Sequence, residues 1–174
     1  MNVDTAVTIF IECDAPAAFE GASSTETLAR IFPGKGPIPG VVSAQVVGGG
    51  PIARGAVRRV KTKDGNELDE TYIQFDPPTG YAYEMSKFKL PLSLLMRKAT
   101  GTWRFSPEAG GTRIVWTYSV ELPNPLAAPL TVLIVKVFMK DAMNLCLSIL
   151  KSDLETRAVT APAPAASTPR IPAP

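Results

Sequence analysis

The sequence predicts an α+β domain in which a curved, seven-stranded antiparallel sheet wraps around one long C-terminal helix, in the order β-α-α-β6-α. Three observations lead to this prediction. Apolar β-rich segments separated by turn residues fill the middle of the chain, two short helical segments follow the first strand, and a long helical segment comes last. Since one helix is narrower than seven strands, the sheet must curl around it, which leaves space for side-chain core or for a ligand cavity.

The first part of the chain predicts one strand followed by two short helices. Residues 7–13 (VTIFIEC) form an apolar, β-branched run that is typical of a strand. Asp14 with Pro16 is a helix start signal, and a second helix is predicted over 25–32, capped near Ser24. The segment 33–40 is rich in Pro and Gly, and we therefore expect a loop there.

The middle of the chain predicts six strands, at 41–47, 54–62, 67–75, 81–88, 98–106 and 112–122. Short turns join most of them, so the sheet is expected to be antiparallel. Asp64-Gly65 is the strongest turn signal. A two-residue turn at this point places Arg59 opposite Glu70, with Val57 opposite Tyr72. A register slip of one residue would bring Arg58 there instead.

The last two strands predict an aromatic face. Pairing them across Gly110-Gly111 puts Trp103 opposite Trp116 and Phe105 near Ile114. Tyr118 follows on the same face, whereas the alternating residues on the other face are polar. We expect the aromatic face to be the concave one. The aromatic side chains there are either plain core or the wall of a ligand cavity.

The final helix is predicted over residues 125–157. Past Lys140 its apolar residues lie on one face, whereas residues 126–139 are apolar almost all round. At about 14 residues, this apolar part is too short to span a bilayer. Its excess apolar residues indicate a dimer contact, a flexible portal or transient membrane contact; they are Leu130, Leu133, Ile134 and Val137. We assign 1–158 to one domain and 159–174, rich in Pro and Ala, to a disordered tail.

The composition excludes several classes of chemistry. The chain has 174 residues and no histidine, which removes His-dependent triads, His-ligated zinc and imidazole acid–base catalysis. Cys13 and Cys146 are far apart and are expected to be free thiols. A net charge of +2 without a basic patch argues against nucleic-acid binding. We expect no cofactor and no metal, and a cytoplasmic location because no signal peptide is visible.

A set of short motifs, in order along the chain, carries a family resemblance. They are Asp14-Ala15-Pro16, Ile31-Phe32-Pro33-Gly34, Gly55-x-x-Arg58 with Asp64-Gly65 and Glu70, Phe75-Asp76-Pro77-Pro78, Tyr81-x-Tyr83, Gly101-Thr102-Trp103-x-Phe105-x-Pro107 and Gly111-Thr112-Arg113-Ile114-Val115-Trp116. Over roughly residues 7–157 the chain resembles the START-like, Bet v allergen-like SRPBCC superfamily, particularly its polyketide cyclase/dehydrase-type branch. The resemblance implies the helix-grip fold. One departure is Ala18-Phe19, where the family often has Val-Trp.

The resemblance leaves the function open, because the superfamily includes lipid carriers, coenzyme Q-binding proteins, plant allergens, cyclases and chaperone activators. We expect a carrier or sensor of a small hydrophobic, lipid-like or aromatic ligand. The alternatives are a polyketide cyclase/dehydratase-like enzyme and a protein-interaction role. No catalytic residue is carried over. The predicted ligand-binding residues are Arg59, Glu70, Tyr72, Tyr83, Trp103, Phe105, Trp116, Tyr118, Val135, Phe138, Met139 and Met143.

Overall fold

The computed structural model describes residues 1–160, with side chains up to residue 157. One antiparallel sheet of seven strands curves around the C-terminal helix, which confirms the predicted α+β class. Its strands, in chain order, are β1 (Asn2–Ile11), β4 (Val41–Val46), β5 (Val57–Thr62), β6 (Glu67–Asp76), β7 (Gly80–Ser86), β8 (Lys98–Glu108) and β9 (Gly111–Glu121). In space they follow the order β1-β9-β8-β7-β6-β5-β4, so the first strand pairs with the last.

Two short helices follow β1 and begin where the sequence predicts. They are α1 (Ala15–Ser23) and α2 (Thr25–Ile31). The carboxylate of Asp14 accepts a hydrogen bond from the Ala17 amide (2.8 Å), and the Ser24 hydroxyl accepts one from the Thr27 amide (3.4 Å). These side chains satisfy amides that have no partner inside the helix, and this positions α1 and α2 across one end of the sheet.

The segment 33–40, predicted to be a loop, contains a small hairpin. Its strands are β2 (Gly34–Lys35) and β3 (Ile38–Pro39). Gly34 has a φ of +79°, and a Cβ there would collide with the backbone of β3. A glycine is therefore required for the two strands to approach so closely.

The hairpin between β5 and β6 has a different register from the predicted one. The Thr62 amide donates a hydrogen bond to the carbonyl of Asn66 (2.9 Å), so the loop contains the three residues 63–65. Gly65 lies in the left-handed region at φ +82°. This is the common three-residue hairpin loop with a left-handed glycine. The two-residue turn was the wrong choice, and as a result Arg58 rather than Arg59 stands opposite Glu70, and Val57 faces Thr71 rather than Tyr72.

The hairpin between β8 and β9 has the predicted register. Trp103 is paired with Trp116 and Phe105 with Ile114, and all four side chains are buried. Buried and more exposed residues alternate along both strands. The aromatic face is therefore the inner face of the sheet.

The C-terminal helical segment is not one uniform helix. A 3₁₀ turn (Pro125–Ala127) leads into α3 (Ala128–Leu133), then a π-helical segment (Ile134–Met139), and then α4 (Lys140–Thr160). Asn124 begins it, because its side-chain oxygen accepts hydrogen bonds from the amides of Leu126 and Ala127. The helix extends three residues past the predicted end at 157. Residues 159–160, which were assigned to the disordered tail, are therefore helical. The remainder of the predicted disordered tail, 161–174, lies outside the described residues.

Candidate ligand-binding cavity

A cavity of about 210 Å³ lies between the inner face of the sheet and the π-helical segment. Its walls are almost entirely apolar, and most elements of the domain contribute to them. The sheet supplies Val41, Arg58, Val60, Thr62, Leu68, Glu70, Tyr81, Tyr83, Met85, Trp103, Trp116 and Tyr118. The other elements supply Ala22, Leu28, Phe32, Pro37, Ile38, Pro39, Phe88, Leu92, Met96, Ile134, Val135 and Met139.

Two stacked tryptophans form the aromatic wall of the cavity. The rings of Trp103 and Trp116 are 4.3 Å apart between centroids and tilted by 22°, and Tyr81 stacks on the far side of Trp103 at 5.7 Å. The indole N–H groups of Trp103 and Trp116 are buried and have no acceptor among the described residues. Buried indole N–H groups usually find a hydrogen-bond partner, so these two are unsatisfied donors within the aromatic wall.

A buried ion pair forms the polar end of the cavity. Arg58 donates through Nε to Oε2 of Glu70 (2.7 Å) and through Nη1 to the carbonyl of Ser23 (3.4 Å), and its Nη2 lies 2.6 Å from the same Glu70 oxygen as an ion-pair contact. The guanidinium also lies over the rings of Tyr72 and Tyr83. Burial is the largest single influence and disfavours the charged guanidinium, but Glu70 and the surrounding tyrosines together outweigh it, and the pKa of Arg58 is raised above its ordinary value. Arg58 is therefore charged at every relevant pH.

The Glu70 carboxylate keeps one oxygen available. Both Arg58 contacts go to Oε2, and Oε1 accepts no hydrogen bond from the described residues. Because Glu70 lines the cavity, this oxygen can accept a proton donor from a molecule there. The pair is thus neutral as a whole and still offers a local acceptor.

The tyrosines around this pair are protonated hydroxyl groups at neutral pH. Burial raises the pKa of Tyr72 to about 12, and it also raises the pKa values of Tyr81, Tyr83 and Tyr118 well above the ordinary value. The Tyr81 hydroxyl donates to the carbonyl of Ala22 (3.1 Å), which ties β7 to α1. The hydroxyls of Tyr83 and Tyr118 form no hydrogen bond with a described residue, so both can bind a ligand.

Seven of the predicted site residues line the cavity: Glu70, Tyr83, Trp103, Trp116, Tyr118, Val135 and Met139. Arg59 does not. It lies on the outer face, where it pairs with Asp69 through two hydrogen bonds of 2.8 Å. The placement of Arg59 in the cavity was wrong, because the three-residue turn shifts the register and exchanges it for Arg58.

Four other predicted residues lie beside the cavity rather than in its wall. Tyr72 is buried behind the Arg58 guanidinium, and Phe105 packs against Phe19 of α1 at 5.3 Å, toward the turn end of β8. Met143 is fully buried in the core, one helical turn past the π-helical segment. Phe138 is half-buried and turns toward Gly36 of the small hairpin. These four residues lie on the inner face of the sheet or on the C-terminal helical segment, as the cavity residues do. They are covered by α1, α4 and the small hairpin.

Several residues of the cavity wall were not predicted. Tyr81 and Met85 alternate with Tyr83 along β7, and this period-two pattern could have identified them. Phe88, Leu92 and Met96 come from the irregular segment between β7 and β8, where no periodic pattern indicates which side chains point inward.

The cavity opens where three segments meet. Its half-exposed lining residues include Ile38 of the small hairpin, Phe88 and Leu92 of the segment before β8, and Ile134 and Met139 of the π-helical segment. The segment 33–40 thus lies at this opening. A π-helical turn widens the helix locally, and such turns are frequent at functional sites.

The described residues contain no group of three or more potential metal-ligating side chains. Within the same residues, no helix combines the length and apolar character needed to cross a membrane. Both cysteines are free thiols, with Cys146 buried and Cys13 half-buried. Burial raises the pKa of Cys146 to about 12, so this thiol is not a nucleophile at neutral pH.

Solved structures of low sequence identity share the fold. The crystal structure of Ara h 8.0201 is 14% identical, with a TM-score of 0.68 over 90% of this chain and 99% of that one. The di-domain ARO/CYC StfQ from the steffimycin biosynthetic pathway is 17% identical, with a TM-score of 0.70 over 92% of this chain and 53% of that one. A protein of unknown function from Staphylococcus aureus is 14% identical, with a TM-score of 0.68 over 92% and 98%.

Comparison by sequence identifies the family. No curated protein matches the chain at a significant level. The family model described as "Polyketide cyclase / dehydrase and lipid transport" matches residues 2–155, nearly the whole described domain. This match agrees with the SRPBCC-type fold. The chain belongs to the polyketide cyclase/dehydrase and lipid transport family.

Proposed function

We propose that the chain is a carrier or sensor that binds one small, uncharged, largely apolar molecule in this cavity. The observation that carries the proposal is an apolar cavity with a few polar groups in its wall: the Arg58–Glu70 pair and the hydroxyls of Tyr83 and Tyr118, which bond to no described residue. This combination is typical of sites for small organic molecules. The apolar wall supplies affinity, and the polar groups orient the ligand.

The charge balance of the cavity favours an uncharged ligand. Glu70 already neutralises Arg58, and an additional charged group would lose its hydration without gaining a counter-charge. The free donors in the cavity wall are the hydroxyls of Tyr83 and Tyr118, and the free acceptor is Oε1 of Glu70. A ligand with a carbonyl or hydroxyl oxygen would satisfy groups that otherwise stay unpaired at a cost in stability.

The volume limits the size of the ligand. An apolar protein cavity of about 150 Å³ accommodates benzene. A cavity of about 210 Å³ is therefore large enough for a molecule of one or two rings, or for a short branched chain. A longer ligand would have to extend through the opening between the small hairpin and the π-helical segment.

Native mass spectrometry of the freshly purified protein, followed by solvent extraction, tests the proposal directly. The expected result is a retained neutral hydrophobic molecule of this size. In addition, titration with 2-acetylnaphthalene should change the intrinsic fluorescence strongly, because the chain has only two tryptophans and both line the cavity.

A matched pair of variants makes the titration specific. Val60→Phe fills the cavity from β5, whereas Val42→Phe places the same ring on an exposed position of β4. We expect Val60→Phe to abolish the fluorescence change and Val42→Phe to retain it. Identical titrations for both variants, or an unresponsive wild-type protein with no extractable molecule, would count against the cavity as a ligand site.

A second candidate is a cyclase/dehydratase-like reaction, favoured by the ionisable groups at the polar end of the cavity. Glu70 could remove a proton from the carbon between two carbonyls of a poly-β-ketone. The resulting enolate carbon would attack a distant carbonyl carbon and form a C–C bond, while Tyr83 donates a proton to the new alkoxide. Elimination of water from the product would complete the dehydration.

Incubation of the protein with a synthetic poly-β-ketone tests this second candidate, with mass spectrometry to detect the loss of one water from the substrate. Glu70→Gln should abolish a true enzymatic turnover, and Asp69→Asn, on the outer face of the same strand, should leave it unchanged. Turnover that survives Glu70→Gln would exclude Glu70 as the base. If no turnover is detected and a ligand is retained, the carrier proposal is the only one of the two that remains.

A further inference from the structure

The surface beside the cavity opening carries a row of exposed apolar side chains. Two segments form it: residues 87–98, which follow β7 and end at the first residue of β8, and residues 122–140 at the start of the C-terminal helical segment. We call its members the apolar rim: Leu90, Leu94, Leu126, Leu130, Leu133 and Val137. Leu126 is 92% exposed and Leu90 is 71% exposed, so nothing in the domain covers them.

The two segments are held side by side. The Thr131 hydroxyl is fully buried and donates to the carbonyl of Leu95 at 3.0 Å. Both segments also supply cavity residues, Phe88 and Leu92 from the first and Ile134 from the second. The apolar rim therefore lies on the same side of the molecule as the opening of the cavity.

The helical part of the rim forms one stripe. Leu126, Leu130, Leu133 and Val137 follow one another at intervals of four, three and four residues, which places them on one face of a helix. Their neighbours Ile134 and Val135 point to the other side and line the cavity. Apolar residues of this segment thus lie on two faces of the helix, one toward the cavity and one toward the outside.

The charges of the two segments all have the same sign. Together they contain six Lys and Arg residues and no Asp or Glu, although the whole chain has a net charge of only +2. Arg97 and Lys98 pair with Glu121 and Glu84 of the sheet. The other four form no ion pair with any residue that the structure describes: Lys87, Lys89, Lys136 and Lys140.

We propose that the apolar rim docks this domain onto an anionic lipid bilayer. Exposed leucines flanked by lysines, with no acidic residue among them, are what an interfacial membrane-binding surface requires. The leucines would enter the boundary between headgroups and acyl chains, and the lysines would contact anionic headgroups. A second copy of the chain fits less well, because two such rims would bring unpaired lysines against one another.

Co-sedimentation with lipid vesicles tests the docking without any cavity ligand, so its failure would leave the proposed function standing. Vesicles of phosphatidylcholine and phosphatidylglycerol in equal parts should bind the protein at low salt. Pure phosphatidylcholine vesicles should bind it more weakly, and high salt should weaken binding to the anionic vesicles.

Paired variants locate the binding surface. Leu130→Ser with Leu133→Ser should weaken vesicle binding by about tenfold for each leucine, because each loses part of its apolar burial. Lys136→Glu with Lys140→Glu should weaken binding to anionic vesicles by at least about fivefold for each charge. The matched controls are Val42→Ser with Ile73→Ser and Arg54→Glu with Lys61→Glu, all at exposed positions away from the rim.

Three outcomes would overturn the proposal. The first is no binding to anionic vesicles at low salt. The second is an equal loss of binding in the rim variants and in the controls. The third is a concentration-dependent dimer, seen by sedimentation without lipid, that Leu130→Ser with Leu133→Ser disrupts; the rim would then be a contact between copies of the chain.

Discussion

Arg58 and Glu70 face each other across β5 and β6 as a buried ion pair, while the adjacent pair, Arg59 and Asp69, faces outward. Two arginine–carboxylate pairs at neighbouring positions of one hairpin are thus in opposite environments. The inner pair is surrounded by tyrosines and borders the cavity, and the outer pair is in contact with solvent. The stabilities that a buried and an exposed ion pair contribute can therefore be compared within one protein.

Replacing Arg58 should destabilise the domain far more than replacing Arg59. Arg58→Met leaves the Glu70 carboxylate buried without a counter-charge, and we expect the free energy of unfolding to fall by about 3–5 kcal/mol. Arg59→Met removes only an exposed pair and should leave the free energy of unfolding essentially unchanged. Urea unfolding followed by circular dichroism measures both values.

The double variant Arg58→Met with Glu70→Leu separates stability from binding. Well-packed apolar side chains can replace a buried ion pair at little cost, so the double variant should regain most of the stability lost in Arg58→Met. Its affinity for an oxygen-bearing ligand should remain low. A double variant that is stable and binds like the wild type would show that the pair takes no part in ligand recognition.

Gly101 determines the position of the Tyr83 ring. The ring packs directly against Gly101 on the neighbouring strand, and a Cβ at that position would collide with it. Gly101→Ala should therefore displace the phenol ring, lower the free energy of unfolding by about 1–3 kcal/mol and weaken ligand binding. Thr102→Ala, one position along the same strand and on its other face, is the control. Unfolding and fluorescence titration of both variants check this prediction.

Asn124 caps the helical segment that closes the cavity. Its side-chain oxygen accepts hydrogen bonds from two backbone amides, at 3.0 and 3.3 Å. Asn124→Ala should cost about 1 kcal/mol of stability, whereas Asn124→Asp, which retains the acceptor, should cost little. Thermal unfolding of the two variants gives the comparison, and equal melting temperatures would show that the cap contributes nothing.

Alkaline pH should unfold the domain through its tyrosines. The chain has four tyrosines, all of them buried, and burial raises the pKa of each; for Tyr72 the value rises from 10 to about 12. Below pH 10 folded and unfolded chains both carry neutral phenols, so these groups leave stability unchanged there. As the pH rises from 10 toward 12 the unfolded chain ionises first and is favoured, so stability falls.

Absorbance of the ionised phenol measures this directly. In the folded protein we expect no tyrosine titration near pH 10, followed by ionisation together with unfolding at higher pH. The urea-unfolded protein should titrate near pH 10. A folded protein in which one tyrosine ionises near pH 10 would contradict the described burial.

The sequence predicted the parts of the site that depend on strand alternation. Trp103 and Trp116 were placed correctly because a short glycine turn sets the register and because the opposite face is polar. Arg59 was chosen and Arg58 kept only as the alternative, because Asp64-Gly65 is compatible with loops of two and of three residues, and the loop length decides which arginine faces inward. The hydrogen bonds of Thr62 with Asp64 and Asn66 select the longer loop, and propensity alone does not reveal them.

Two other features depend on tertiary packing rather than on local pattern. The π-helical segment contains ordinary helix-compatible residues, and nothing in their order indicates a wider turn. The inward side chains between β7 and β8 are set by contacts such as the one between Thr131 and Leu95. Such contacts join residues that are distant along the chain, so a local reading of the sequence cannot supply them.

The pairing of β1 with β9 has a consequence for the synthesis of this protein. Asn2 is paired with Glu121, and Thr8 bonds to the carbonyl of Ile114, 106 residues further along the chain. On the ribosome the first strand therefore emerges long before its only partner in the sheet. Its apolar residues stay unpaired until β9 has been made, so the sheet closes late and slowly. During that interval the unpaired edge and apolar residues of β1 are exposed, and this favours aggregation.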